Sequence, residues 1–328
     1  MTAPLRRDAL LSCLLLVLTA LFWAGNIVLG RGLIDQLAPL GLNFWRWLVA
    51  FLVLAPFAGR AALEHWPAVR RDWKLLALLG LLGIAGFNSF AYTAFQTTTA
   101  INAALINATM PIMIVALAVA GFRDPFGWRE GLGLALSLIG TVVILCRGDM
   151  AVLRALAIAA GDLWMMVGVA LYALYSVLLR FRPRELDGAA LLLVVIGFGI
   201  LWMVPVYAAE TLLVKPMPLT ATSVGMVAYV AVFPSVLAYA FWNRGMLTLG
   251  PARASLFTHL VPVFTALLAV AFLGEALRPY HAAGMALVFT GLVLATRSGT
   301  TPVQAAPGPA APAAPERERG GPERQRGE

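Results

Sequence analysis

Most polar and aromatic side chains that could take part in chemistry lie inside long apolar segments of this sequence. One such segment carries Ser255, Thr258, Pro262 and Thr265 at spacings of three, four and three, which places them on one face of a helix. The chain contains no P-loop, GxSxG or HExxH pattern and no cluster of metal-ligating residues. These residues favour binding of an amphipathic or neutral small molecule, and we expect no enzymatic activity, no cofactor and no metal.

Two prolines predict kinked or broken helices. Pro111 and Pro262 lie about ten residues into their segments, which corresponds to about 15 Å and therefore to the middle of a bilayer. A proline cannot donate to the carbonyl four residues earlier, and those carbonyls belong to Asn107 and Thr258. One interpretation is a kink that the Asn or Thr side chain compensates, and the other is a broken helix that lines a solute cavity.

Other candidates lie in the remaining apolar segments. Buried tyrosine hydroxyls need hydrogen-bond partners, so those deep in a span should face the protein interior. His259 is interpreted either as a structural residue or as a titratable group of the pathway. Two tripeptides are predicted counterparts: Phe87-Asn88-Ser89 and Phe233-Pro234-Ser235. The predicted substrate-binding or pathway residues are Trp23, Asn26, Asn88, Tyr92, Asn107, Pro111, Trp164, Tyr172, Tyr175, Ser235, Tyr239, Thr258, His259 and Pro262.

Charged residues inside the apolar segments are few. Arg46, flanked by two tryptophans, is predicted either to extend to the outer membrane interface or to face the pathway. Asp162 should cap a helix, and Glu275 should act as a cap or an outer gate. Because no Asp or Glu is predicted at membrane depth, we expect the solute's own gradient to drive transport, with at most a modest pH dependence due to His259.

The composition shows which elements must position these residues. Hydrophobic residues make up 61% of the 328 residues and charged residues 12%, against about 45–50% and about 25% in soluble domains. This excludes a soluble protein. The net charge of +8 comes from basic residues in short loops and in the tail, a distribution that does not favour nucleic-acid binding.

The apolar segments predict an all-α integral membrane protein with ten transmembrane helices. The first segment runs to Leu29, long enough to span, and lacks an A-x-A cleavage pattern, so it is not interpreted as a signal peptide. The predicted helices 1 to 10 are Ala9–Leu29, Leu40–Phe57, Leu75–Phe95, Ile101–Gly121, Gly127–Cys146, Gly161–Arg180, Ala189–Ala208, Thr222–Trp242, Ala252–Leu273 and Tyr280–Thr296.

The chain repeats itself. Residues 252–299 align without a gap on residues 101–148, which places Pro262 on Pro111 and matches glycines in both copies. The repeat predicts two five-helix units, 1–148 and 149–299, and an odd number of helices per unit makes the second inverted relative to the first. The Pro-, Ala- and Gly-rich residues 300–328 should form a disordered cytoplasmic tail.

Basic residues predict the orientation. Fourteen Lys and Arg residues fall on the side of the N-terminus and five on the other side. The positive-inside rule then predicts a multi-pass protein of the cell inner (plasma) membrane with cytoplasmic N and C termini.

Several short motifs occur in a pattern typical of one membrane-protein family. They are Trp23-Ala24-Gly25-Asn26, Arg46, Thr98-Thr99-Ala100, Ala254-Ser255-Leu256, Pro262-Val263-Phe264 and Leu273-Gly274-Glu275. These motifs resemble the EamA-type branch of the drug/metabolite transporter superfamily. The resemblance covers about residues 8–298, and the departure from the family pattern is Gly121-Phe122-Arg123-Asp124, where Leu-Gly-Glu would be usual. The resemblance implies a ten-helix secondary transporter, often an exporter of amino acids or other small metabolites, with a pathway lined by helices 1, 3, 4, 6, 8 and 9.

We therefore expect an exporter that moves a small organic metabolite, such as an amino acid, through a central cavity by alternating access. The alternative is a non-transporting membrane scaffold or a subunit of a larger membrane complex. The expected partners are a small-molecule solute and the lipid bilayer, with no nucleic acid, and the chain is compatible with a monomer.

Overall fold

The computed structural model describes residues 3–30, 38–94, 96–156, 159–273 and 276–296, which contain helices and no strand. Glu275 with its predicted cap or gate, and the predicted tail 300–328, lie outside the described residues. Ten helices within the described residues are long and apolar enough to cross a membrane, as predicted. Helices 1 to 10 are Arg7–Leu29, Pro39–Glu64, Trp73–Ala94, Asn102–Phe122, Trp128–Leu145, Ala160–Phe181, Gly188–Leu213, Ala221–Leu249, Pro251–Phe272 and Pro279–Thr296.

Three helices continue beyond their predicted ends, because helical structure outlasts the apolar run that marks a span. Helix 2 reaches Glu64, where Arg60 and Glu64 pair one turn apart, and helix 7 reaches Leu213. Helix 8 reaches Leu249. Two short helices, Trp66–Arg71 and Met150–Arg154, lie in the connections.

Helices 3 and 8 each contain one wider π-helical segment. The segments are Gly80–Gly86 and Ala231–Leu237, and every residue of the second lies 151 positions after its equivalent in the first. Pro234 accounts for the segment in helix 8, because it cannot donate to the carbonyl of Val230. The predicted match of Phe87-Asn88-Ser89 to Phe233-Pro234-Ser235 is therefore wrong in register, since Pro234 corresponds to Gly83.

Helices 4 and 9 are broken at equivalent points, as Pro111 and Pro262 predict. The first piece of helix 4 is Ala100–Asn107, which begins two residues before the apolar span, and the second piece is Met110–Phe122, with Pro111 in its first turn. Helix 9 consists of Pro251–Ser255, the 3₁₀ turn Leu256–His259 and Leu260–Leu273. Each proline thus begins a new helical piece, where its missing N–H is not needed.

Helices 5 and 10 cross at four glycines. A Cβ atom at Gly133 would lie 2.5 Å from the carbonyl oxygen of Gly291, and one at Gly140 would lie 2.5 Å from that of Gly284. Gly284 and Gly291 are the equivalents of Gly133 and Gly140, so the two contacts exchange under the repeat. This exchange shows a twofold relation between the repeats, and the absence of side chains lets the two backbones meet.

The two repeats interlock around the centre of the bundle. Helix 1 packs on helices 8 and 9, and its equivalent, helix 6, packs on helices 3 and 4. Helix 2 packs on helix 7. Helices 1, 3, 6 and 8 consequently bring their inner faces together.

Candidate functional site

A cluster of aromatic rings fills the space between helices 1, 3, 6 and 8, with Tyr172 at its middle. Tyr172 is 1% exposed. Its hydroxyl is buried and has no hydrogen-bond partner among the described residues. Ring-centroid distances from Tyr172 are 6.1 Å to Trp23, 4.9 Å to Phe87, 5.5 Å to Tyr175, 5.8 Å to Tyr239 and 5.7 Å to Trp242.

Tyr239 connects this cluster to the backbone of helix 3. Its hydroxyl donates to the carbonyl oxygen of Gly83 at 2.9 Å and accepts from Nδ2 of Asn88 at 3.3 Å. Gly83 lies in the π-helical segment of helix 3. Asn88 and Tyr239 are equivalent positions of the two repeats, so their bond lies at the pseudo-twofold axis.

Arg46 extends the cluster to helix 2. Its Nε donates to Oγ of Ser235 at 2.9 Å, and its Nη1 donates to Oδ1 of Asn88 at 3.3 Å and to the hydroxyl of Tyr92 at 3.0 Å. The guanidinium carbon lies 5.0 Å from the ring centroid of Trp47, and the whole residue is 2% exposed. The Arg46 side chain is therefore buried inside the bundle and does not extend to the outer membrane interface, which was one of its two predicted positions.

Ser235 and Trp23 bind the π-helical segment of helix 8. Ser235 Oγ donates to the carbonyl oxygen of Val230 at 2.7 Å, the carbonyl to which Pro234 cannot donate. Nε1 of Trp23 donates to the carbonyl oxygen of Pro234 at 3.2 Å. The irregular backbone in this helix is therefore held by side chains from the candidate site.

A second group of predicted residues joins helices 4, 5 and 9. The Nε2 of His259 donates to the carbonyl oxygen of Ala108 at 3.0 Å, because a carbonyl can only accept, and Nδ1 lies 2.7 Å from Oγ of Ser137. His259 and Ala108 are equivalent positions, so helices 4 and 9 meet at the axis. Both ring nitrogens of the buried His259 are occupied, which supports its interpretation as a structural residue.

The side chains beside these prolines do not compensate the carbonyls that the prolines free. Thr258 donates to the carbonyl oxygen of Ser255 at 2.8 Å, and the Nδ2 group of Asn107 donates to no carbonyl of the described residues, while its Oδ1 is buried without a partner there. Within the part of the chain that the structure describes, no hydrogen bond or ring contact joins this second group to the aromatic cluster. The predicted residues thus form two sets, not one.

Two predicted residues lie apart from both sets. Trp164 is 45% exposed and stacks on Phe90 at 5.6 Å, the position of an interfacial anchor near the end of a span. Asn26 is half-buried one turn beyond Trp23 and makes no hydrogen bond to a described residue.

A groove of about 520 Å³ lies elsewhere, on the surface of helices 5 and 10, and is lined by Arg129, Phe289, Thr290, Val293 and Leu294.

Acids pair with arginines on the side of the bundle where helix 1 begins. Arg180, at the end of helix 6, makes a two-bond pair with Asp124 at 2.8 and 2.5 Å. Asp124 thus has a partner although its motif departs from the family pattern. In the loops, the hydrogen bond from Arg71 holds the pKa of Glu185 below its usual value. Other pairs of the described residues on this side are Glu130 with Arg253, Asp8 with Arg244, Arg71 with Glu185 and with Asp72, and Arg60 with Glu64.

On the opposite side, carboxylates bind neutral groups. Asp162 accepts from the backbone N–H of Ala159 at 2.8 Å and from the side chains of Thr98 and Asn102, which confirms its predicted capping role. Glu210, which sequence reasoning missed, accepts from the backbone N–H groups of Leu40 and Gly41 at 3.1 and 2.6 Å. Both carboxylates complement the positive ends of helices.

The arrangement of ten helices as inverted repeats around a buried polar and aromatic cluster agrees with one known family. A family model described as the EamA-like transporter family matches residues 10–146 and again residues 159–297. The chain belongs to the EamA-like transporter family. It is therefore a multi-pass membrane transporter of the EamA type, and the two matches fall on helices 1–5 and 6–10.

Several relatives are similar over most of their length. An uncharacterized transporter, YyaM, of Bacillus subtilis is 27% identical over 84% of this chain and 90% of the relative. An uncharacterized transporter of Archaeoglobus fulgidus is 28% identical over 86% of this chain and 96% of the relative. A probable terminal-alkyne amino-acid exporter of Streptantibioticus cattleyicolor is 26% identical over 86% of this chain and 92% of the relative.

A solved crystal structure, described only as that of a protein, is also similar. It superimposes with a TM-score of 0.69 at 21% sequence identity, and the superposition covers 87% of this chain and 96% of the chain in that structure. At this identity the likeness shows the fold.

Proposed function

We propose that this EamA-type transporter is a secondary exporter of an amino acid or a similar small amphipathic metabolite. The observation that carries the proposal is the buried contact between the two repeats, where Tyr172, Tyr239 and Asn88 combine ring faces with polar groups at the pseudo-twofold axis. Ring faces suit an apolar side chain, and hydroxyl and amide groups suit a polar head. The name of the relative from Streptantibioticus cattleyicolor, a probable amino-acid exporter, gives further support.

In this proposal the solute passes by alternating access. The repeats rock about the junction of His259 with Ala108, and the π-helical segments of helices 3 and 8 provide irregular backbone that can rearrange. The acid–arginine pairs hold the side of the N-terminus closed, so opening toward that side separates them. Since the Asp and Glu residues in the described spans lie near helix ends, we propose that the solute's own gradient drives the cycle.

Substitution of Tyr172 by phenylalanine tests the site. We expect exchange of labelled apolar amino acids across proteoliposome membranes to fall about tenfold, because the variant lacks the Tyr172 hydroxyl, which has no protein partner and is available to bind solute. The melting temperature should stay the same or rise, since a buried hydroxyl without a partner is removed. Tyr207→Phe is the matched control, because the Tyr207 hydroxyl accepts from Trp45 outside the cluster.

Wild-type protein should exchange at least one apolar amino acid without an imposed ion gradient. Reconstituted, folded protein that moves no amino acid would contradict the proposed function and favour the scaffold alternative. Accumulation that requires an imposed proton gradient would contradict the proposed energy source but not the transport.

Cysteine labelling tests the proposed orientation, with both termini in the cytoplasm. The native Cys13 and Cys146 are first replaced by alanine, and a cysteine is then placed at exposed Lys215 or at exposed Arg70. In intact cells, a membrane-impermeant maleimide should label position 215 and leave position 70 unlabelled until the membrane is opened. The reverse pattern would invert the topology.

A further inference from the structure

Arg46 carries a positive charge into the bundle without an acidic partner. The ion pairs of the described residues do not include it. Glu210 of helix 7 lies near the start of helix 2, the helix that carries Arg46, but its two carboxylate oxygens already accept from the backbone N–H groups of Leu40 and Gly41. An arginine side chain keeps its charge in proteins, and burying a charge without a counterion costs several kcal/mol. The guanidinium is therefore a buried cation that lacks an anion.

The hydrogen bonds of Arg46 leave part of its donor set free. Nε and Nη1 donate to Ser235, Asn88 and Tyr92, all of them neutral groups. Among the described residues, Nη2 donates to none. These bonds to neutral groups fix the plane of the guanidinium and leave the two N–H groups of Nη2 available to donate charge-assisted hydrogen bonds to a carboxylate.

Arg46 also belongs to the candidate site. Asn88 accepts from Arg46 and donates to Tyr239, whose ring lies 5.8 Å from that of Tyr172. The hydroxyl of Tyr172 is a second buried polar group without a protein partner. Two groups with unmet hydrogen-bonding capacity, a cation and a hydroxyl, thus border the same cluster of aromatic rings.

We propose that Arg46 binds the carboxylate of the transported solute while the aromatic cluster receives its apolar side chain. This inference rests on the proposed function and makes it specific: the solutes are monocarboxylates with an apolar side chain, such as apolar L-amino acids, and not the corresponding amines or amides. A residue that only joined helices 2, 3 and 8 would not require a charge, because neutral donors can bond to Ser235, Asn88 and Tyr92 at a lower cost of burial.

The test compares acids with their amides. Binding to the full-length protein in detergent is measured by calorimetry for L-leucine, L-methionine, L-phenylalanine and L-tryptophan and for their α-carboxamides. We expect at least one acid to bind about tenfold or more tightly than its amide, because the charge-assisted bonds are lost in the amide. Equal or tighter binding of the amides, or no binding of any acid to folded wild-type protein, would overturn the proposal.

Variants then assign the preference to Arg46. Arg46→Gln should reduce the acid-to-amide ratio to about one, and Arg46→Lys, which keeps the charge but loses the planar fork, should reduce it in part. Arg60→Gln, at an exposed arginine, should leave the ratio unchanged. If Arg46→Gln does not fold, the assignment is tested by comparing the acid-to-amide ratio of wild-type protein with that of Arg46→Lys. An acid-to-amide ratio in either folded variant that equals the ratio of wild-type protein contradicts the assignment to Arg46.

The two proposals fail in different ways. Acid-selective binding without flux in proteoliposomes would overturn the transport function and keep the carboxylate site. Flux of amines or amides that matches or exceeds the flux of the acids would keep the transport function and overturn the role of Arg46.

Discussion

Replacement of Asp124 by asparagine is expected to lower the free energy of unfolding by about 3–5 kcal/mol. The variant leaves Arg180 as an uncompensated charge, because the side chains of Asp124 and Arg180 are only 7% and 14% exposed in their two-bond pair. Thermal unfolding in detergent, followed by tryptophan fluorescence, should show a melting temperature lower by about 6 °C or more.

The control for Asp124→Asn is Glu64→Gln. This variant breaks the pair of Arg60 with Glu64, whose side chains are 91% and 55% exposed, and exposed pairs contribute at most about 1 kcal/mol. An Asp124 variant no less stable than the Glu64 variant would show that the buried pair does not hold the ends of helices 4 and 6 together.

Replacement of Gly140 by alanine is expected to destabilise the protein by about 1–3 kcal/mol, the usual effect of overpacking. The new Cβ would lie 2.5 Å from the carbonyl oxygen of Gly284 and 2.8 Å from the backbone nitrogen of Val288, so helices 5 and 10 must separate. Because both clashing atoms belong to the backbone, no change of rotamer can relieve them. The melting temperature should fall by several degrees.

Gly225→Ala provides the matched comparison. Gly225 also lies in a helix, but nothing comes within 4 Å of the position where its Cβ would stand. This change should stabilise the protein by about 0.5–1 kcal/mol, because alanine favours the helix more than glycine does. Equal effects at the two positions would mean that helices 5 and 10 do not depend on close backbone contact.

The sequence predicts the fold well where backbone chemistry determines it. The paired prolines at 111 and 262 predict the two broken helices, and the glycines at 133 and 140 predict a packing face on helix 5. The C-terminal end of helix 2 could not be predicted from hydropathy, because the helix continues past the apolar run to the pair of Arg60 with Glu64. The π-helical segment at Gly80–Gly86 has no proline, and its glycines alone do not indicate the extra residue per turn.

The candidate site is predicted in part. Tyr172, Tyr239 and Asn88 are brought together because deep polar groups in a membrane protein must face its interior. The orientation of Arg46 depends on Ser235 of the other repeat, a contact between residues 189 positions apart that no local pattern contains. For Trp164, residue type alone does not separate an interfacial anchor from a pathway residue.

The bond between His259 and Ala108 has a consequence for the balance between conformations. The two residues are equivalent positions of the inverted repeats, so an exchange of the repeats' conformations maps this pair of positions onto itself and keeps the two residues adjacent. In the proposed cycle, a bond kept in both states contributes equally to both and cannot shift their populations. The pair of Asp124 with Arg180 lies away from the axis, on the side of the bundle where helix 1 begins, so it can change the relative populations of the two states. His259 can instead change the height of the barrier between them.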